Sequence, residues 1–78
     1  MTVQEFHHVE AGVRYRISLL RDPNGFRFEW LCLEARCGLR VKGRIAAPTA
    51  ECALRDARAD IRTHTRLHRK VGSDRLVV

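Results

Sequence analysis

Between Val13 and Leu20 the chain alternates, with Val13, Tyr15, Ile17 and Leu19 apolar against Arg14, Arg16 and Ser18. Period two with one apolar side is the pattern of a half-buried strand, here over about 13–20. The run ends in Arg21-Asp22-Pro23-Asn24-Gly25. Proline presets φ and Asn or Gly accepts a left-handed site, so a tight hairpin turn follows. A second alternating run covers 26–34, with Phe26, Phe28, Trp30 and Cys32 on one side and Arg27, Glu29, Leu31 and Leu33 on the other. A third, over 39–46, sets Leu39, Val41 and Ile45 against Arg40, Lys42 and Arg44. Three such strands form an antiparallel meander, to which Glu5-Phe6-His7-His8-Val9, ahead of Glu10-Ala11-Gly12, offers a fourth, outer strand.

Ala47-Pro48-Thr49 breaks the alternation, with Thr49 where an N-cap belongs and Glu51 where the helix dipole favours an anion. From Ala50 to about Lys70 the period is helical, and Ala50, Ala53, Leu54, Ala57, Ile61, His64 and His68 share one side. Gly72 is the expected terminator, and Leu76-Val77-Val78 a flexible apolar tail. The fold class this predicts is α+β, one domain over 1–78 with one helix laid across one face of the meander. Its expected core is Tyr15, Ile17, Phe28, Trp30, Val41, Leu54 and Ile61. The uncovered face would carry Arg14, Arg16, Arg27, Arg40, Lys42 and Arg44, with Glu29 as its only acid and Leu31 and Leu33 toward one end.

Charge sharpens this picture. The chain has 15 Lys and Arg against 9 Asp and Glu, a net charge of +6, and such a field attracts nucleic acid, anionic lipid or acidic protein. Thirteen of the cations are arginine, whose planar fork suits phosphate and carboxylate, although a GC-rich genome also writes arginine for lysine. Arg55, Arg58, Arg62, Arg66 and Arg69 fall three or four apart on the helix, roughly 80 to 160° around from Ala50. A charged helix face is ordinarily a solvated face laced by pairs three or four residues apart. Here only Arg55 has such a partner, Glu51. Cations in the last turns complement the helix dipole, which accounts for Arg66, Arg69 and Lys70 but not for Arg58 and Arg62.

The row, together with Arg40, Lys42 and Arg44 on the sheet, is therefore the candidate polyanion-binding surface. On nucleic acid it would contact phosphates, giving affinity without base discrimination. No pair of aromatics stands on the open sheet face to stack bases, and no second helix braces a recognition helix.

A second constellation is Cys32-x4-Cys37 with His64-x3-His68. Zinc takes four such ligands in a tetrahedron. The third strand leads away from the Cys-bearing turn for ~25 Å and the helix returns at 1.5 Å per residue, so the two histidines come back near that turn. Against this, the cysteine spacing is loose, and 26 residues separate Cys37 from His64 where zinc fingers have about 12. A small apolar cysteine and a packed histidine explain the same residues, so the sequence predicts neither metal nor cofactor. Cys52 has no acid–base neighbour to mark a nucleophile, His7 and His8 read as surface, and no carboxylate pair or glycine loop points to catalysis. No enzyme activity is expected.

With three cysteines and neither a leader nor an apolar run of ~18 residues, the chain reads as a reduced, cytoplasmic protein away from membranes. So small a core gains from a partner, and open strand edges offer one, so a homodimer is expected.

The order Tyr15-x-Ile17-x-Leu19, Asp22, Gly25-Phe26, a strand, then Thr49-x-x-x-Ala53-Leu54-x-x-Ala57-x-x-x-Ile61 is similar to antitoxins of the HicB type. The likeness covers about 13–65. It implies a β-β-β-α unit and a role in binding rather than in catalysis.

Overall fold

The computed structural model describes the backbone of residues 2–77 and the side chains of residues 4–68. Strands β1 (Thr2–Glu10), β2 (Val13–Asp22), β3 (Gly25–Cys32) and β4 (Arg40–Lys42) precede helix α1 (Ala50–Val77). The sheet is antiparallel in the order β1-β2-β3-β4, and α1 packs on one face of it. The outer strand suggested by Glu5 to Val9 is thus present, paired to β2 with Phe6 opposite Ile17 and His8 opposite Tyr15.

Both hairpins have two-residue loops. Ala11 and Gly12 take positive φ, 49° and 83°, the backbone hand that matches the twist of the flanking strands. Asp22 pairs with Gly25 across Pro23-Asn24, and Asp22 Oδ1 accepts the Asn24 N–H at 2.9 Å. Gly25, at φ 135°, also lies so close to the Ala47 carbonyl that a Cβ would collide with it.

The third strand departs from expectation. Only Arg40–Lys42 form β4, in register Glu29 to Lys42, and extending that register would set Phe26 opposite Ile45. Phe26 instead bridges Ala47, so two extra residues are looped out between them, and Ile45 is turned to solvent at 85% exposure. Gly43 makes the last contact in the β4 register. It donates its N–H to Phe28 O at 2.8 Å while lying against the Phe28 ring, where a side chain would need that space. The chain then swings out.

The helix starts as its cap dictates, with Thr49 Oγ1 accepting the Cys52 N–H at 3.1 Å. It does not stop at Lys70, and runs through Gly72 to Val77. A glycine inside a helix costs only about 1 kcal/mol relative to alanine, so it ends a helix only where the following backbone turns away.

The core lies between β2, β3 and α1: Val13, Tyr15, Ile17, Leu19, Trp30, Cys32, Ala47, Ala53, Ala57 and Ile61 are buried. Of the expected core, Tyr15, Ile17, Trp30 and Ile61 are fully inside, whereas Phe28, Val41 and Leu54 pack at its margin. Ala53 and Ala57 bring the helix backbone close to the sheet. Their small size leaves room for the large rings of Tyr15 and Trp30, which meet edge to face at 5.6 Å. One buried polar residue, Thr65, extends the alanine row. Its Oγ1 donates to Ile61 O at 2.8 Å and accepts from the Tyr15 hydroxyl at 2.6 Å.

Candidate polyanion interface and cysteine–histidine cluster

Arg55, Arg58, Arg62 and Arg66 all stand exposed on one flank of α1. Arg69 lies outside the described side chains. Glu51 does not pair with Arg55, whose Nη2 instead points at Cys52 Sγ, 3.7 Å away. Among the described residues no carboxylate forms an ion pair with any of the four; the pairs that occur there are His8–Glu10, Arg27–Asp22 and Arg40–Glu29. Arg62 and Arg66 form one wall of a shallow cleft of about 150 Å³, and Glu10, Ala11 and Thr65 complete its lining. Glu10 shares this cleft with Arg62 and Arg66, and its Oε1 is engaged by His8 Nε2 at 3.1 Å.

Of the helix acids among the described residues, Glu51 sits at roughly 100° from Ala50, on the arginine flank, and two take the other flank. Asp56 and Asp60 sit roughly 240° and 280° around from Ala50, away from the arginines. Asp60 is structural, since its Oδ2 accepts the Trp30 indole N–H at 2.8 Å.

The open sheet face is less basic than its sequence suggested. β1 lays Glu5 opposite Ser18, which itself faces Glu29, and Glu29 faces Lys42. Two acids therefore run across the middle of that face. Arg40 Nε lies 3.4 Å from Glu29 Oε1 and Arg27 Nε 2.8 Å from Asp22 Oδ2, which leaves Arg14, Lys42 and Arg44 as the exposed cations of the sheet group without a carboxylate partner among the described residues. The reading of Glu29 as the face's only acid fails because strand order supplies Glu5, which no local pattern reveals.

Opposite the β1 side of the helix, the loop after β3 meets α1. Cys32, Cys37, His64 and His68 place one ligand atom each, all within 4.8 Å of one another. Glu34 O accepts the N–H groups of Cys37 and Gly38 at 3.0 and 3.2 Å, closing a turn in which Gly38 takes φ 63°. His64 Nε2 lies 3.5 Å from Cys37 Sγ. Its ring is packed by Trp30 at 5.1 Å, Tyr15 at 5.9 Å and, one helical turn on, His68 at 5.5 Å. Burial first and the neighbouring His68 second push the His64 pKa down and favour its neutral imidazole, while burial pushes the Cys32 thiol up. All three cysteines are free, Cys52 standing apart, half-buried against the core in the first turn of the helix.

No protein-family model matches the chain, and neither a curated protein nor a solved structure matches it. No helix among the described residues is long and apolar enough to cross a membrane.

Proposed function

We propose that this domain is a small binding module of the cytoplasm, without enzyme activity, that engages nucleic acid through the exposed arginine flank of α1. One observation carries the reading: Arg55, Arg58, Arg62 and Arg66 share a flank with no ion-pair partner among the described residues, although the helix has carboxylates on its other side. Arginines at this spacing repel one another, and a polyanion relieves that repulsion. The row spans roughly 16 Å at 1.5 Å per residue, a reach that covers several phosphates of a nucleic-acid strand. Arg44 and Lys42 on the sheet side are a separate, smaller basic group. The long β1 edge, Thr2–Glu10, has free backbone groups on its outer side and supports pairing with a second copy.

The other partner class is a protein, acidic or docked on the β1 edge beside Val9, which is 62% exposed; the antitoxin-like order of elements belongs with this reading. Binding of mixed-sequence duplex DNA and single-stranded RNA, followed by anisotropy over a range of salt, separates the two. Each phosphate contact contributes about 0.9 to the logarithmic salt slope on duplex DNA. Arg58→Glu, Arg62→Glu and Arg66→Glu together should weaken binding for every sequence and flatten that slope. The combination Arg40→Glu, Lys42→Glu and Arg44→Glu should do less. Equal affinity of the parent and the helix triple, or no binding near physiological salt, would reject nucleic acid in favour of a protein partner.

A further inference from the structure

We infer that Cys32, Cys37, His64 and His68 form a tetrahedral site for one zinc ion that clamps the loop after β3 to the middle of α1. This reverses the expectation drawn from spacing. The 26 residues between Cys37 and His64 are taken up by β4, the looped-out segment before Ala47 and the first half of the helix, so the long interval is a route back to the site.

Three observations carry the site. The donor set, two thiols and two imidazoles, is the soft and borderline mixture that selects zinc. At Zn–S of about 2.3 Å and Zn–N of about 2.05 Å, the edges of a tetrahedron measure about 3.4 to 3.8 Å. Ligand atoms already within 4.8 Å of one another need only small side-chain rotations to reach those edges. The surroundings are also those of a ligand turn: Glu34 O accepts the N–H groups of Cys37 and Gly38, and Gly38 at φ 63° lets the chain leave directly after Cys37.

Four protein ligands leave no open coordination position, so the ion is structural rather than catalytic. Its location suits that role. Beyond Ile61 the helix buries Thr65 as its one fully inside residue among those described, and the zinc would fasten the stretch where apolar packing runs out.

The test uses the whole untagged chain, purified under reducing conditions without chelator. Elemental analysis should return one zinc per chain. A strong chelator should lower the melting temperature, and added zinc should restore it. Trp30, the chain's single tryptophan, has its ring 5.1 Å from that of His64, so its fluorescence should follow the titration. Cobalt(II) in place of zinc should show the intense visible bands of a tetrahedral ion with thiolate-to-metal charge transfer. Cys37→Ser and His68→Gln, both at half-buried positions, should each weaken zinc by more than the 10- to 100-fold that losing a supporting partner costs. Should either variant fail to fold, the cobalt spectrum of the parent decides alone. A parent that takes up neither metal overturns the site, as does a cobalt spectrum without charge-transfer bands. Zinc affinity unchanged in His68→Gln, or a Cys32–Cys37 disulfide whose reduction yields no metal uptake, does the same.

Discussion

Tyr15 and Thr65 form a buried hydroxyl pair whose proton order can be deduced and tested. Thr65 has one hydroxyl proton, and its 2.8 Å contact with Ile61 O uses it, so the 2.6 Å contact must be donated by the Tyr15 O–H. Tyr15 is fully inside and Thr65 is 2% exposed, so water replaces neither partner. Tyr15→Phe removes a donor and leaves Thr65 bonded to Ile61 O, for a loss of about 1 kcal/mol, the net worth of one neutral hydrogen bond. Thr65→Val keeps the shape and nearly the same helix propensity but strands the Tyr15 proton, at a cost of about 1–3 kcal/mol. In the double variant both polar atoms are gone, so it should be no less stable than Thr65→Val alone. The coupling between the sites should reach about 1 kcal/mol. Thermal unfolding followed by Trp30 fluorescence resolves this, since 1 kcal/mol moves the midpoint by about 4–8 °C in a domain of this size. Additive effects, or Tyr15→Phe proving the costlier single change, would refute the proton assignment.

Gly43→Ala would push a Cβ to 2.8 Å from the Phe28 ring, and the strain should cost about 1–3 kcal/mol, read as a lower urea midpoint at unchanged slope. Asp60→Ala removes the acceptor of the Trp30 indole N–H; a bond to a charged group is worth about 1.5–3 kcal/mol, and its partial exposure places the expected loss at the low end, with a shifted Trp30 emission as the accompanying signal. The free β1 edge should pair two copies, so light scattering at micromolar concentration should return twice the 9.0 kDa chain mass, and a clean monomer would remove the edge-pairing argument.

The parts of this fold that were legible are those set by local period. Alternation located β2 and β3, the change to helical period after Pro48 located α1, and Thr49 caps it as its side chain suggested. What failed depends on contacts between elements. Alternation places Ile45 on the apolar side of a continuous strand, but Phe26 pairs with Ala47 and the residues between are looped out, and no one-dimensional pattern contains that pairing. Thr65 was missed as a core residue although a signal existed, since at roughly 60° from Ala50 it borders the apolar stripe. A threonine there reads as surface until Tyr15 arrives beneath it. For the candidate sites, the arginine row needed only helical period, while Glu5 beside Glu29 needed the strand order. The cysteine–histidine set is legible by residue type and return geometry, while its spacing departs from that of short metal fingers because a strand and half a helix lie in between.

The two proposals meet on the far half of α1. Apolar packing holds the helix through Ala53, Ala57 and Ile61; after that, among the described residues, the sheet grips it through Thr65 and the cysteine–histidine cluster. Arg55 and Arg58 stand on the packed half, Arg62 and Arg66 on the half that zinc would fasten. The ion itself would lie on the opposite flank, since His64 and His68 are roughly 320° and 0° around from Ala50 against 80 to 160° for the arginines, so it touches no bound phosphate. Removing it at a temperature where the domain stays folded should therefore act on positioning alone. Arg55 and Arg58 keep their place, while Arg62 and Arg66 lose theirs, and the logarithmic salt slope on duplex DNA should fall by about 1.8, the share of two contacts. Arg62→Glu and Arg66→Glu should then change the slope of the zinc form and leave that of the metal-free form nearly unaltered. A metal-free protein that binds with the full slope would show that Thr65 and the core are enough to fix the helix, and that zinc and the arginine row are independent features of the fold.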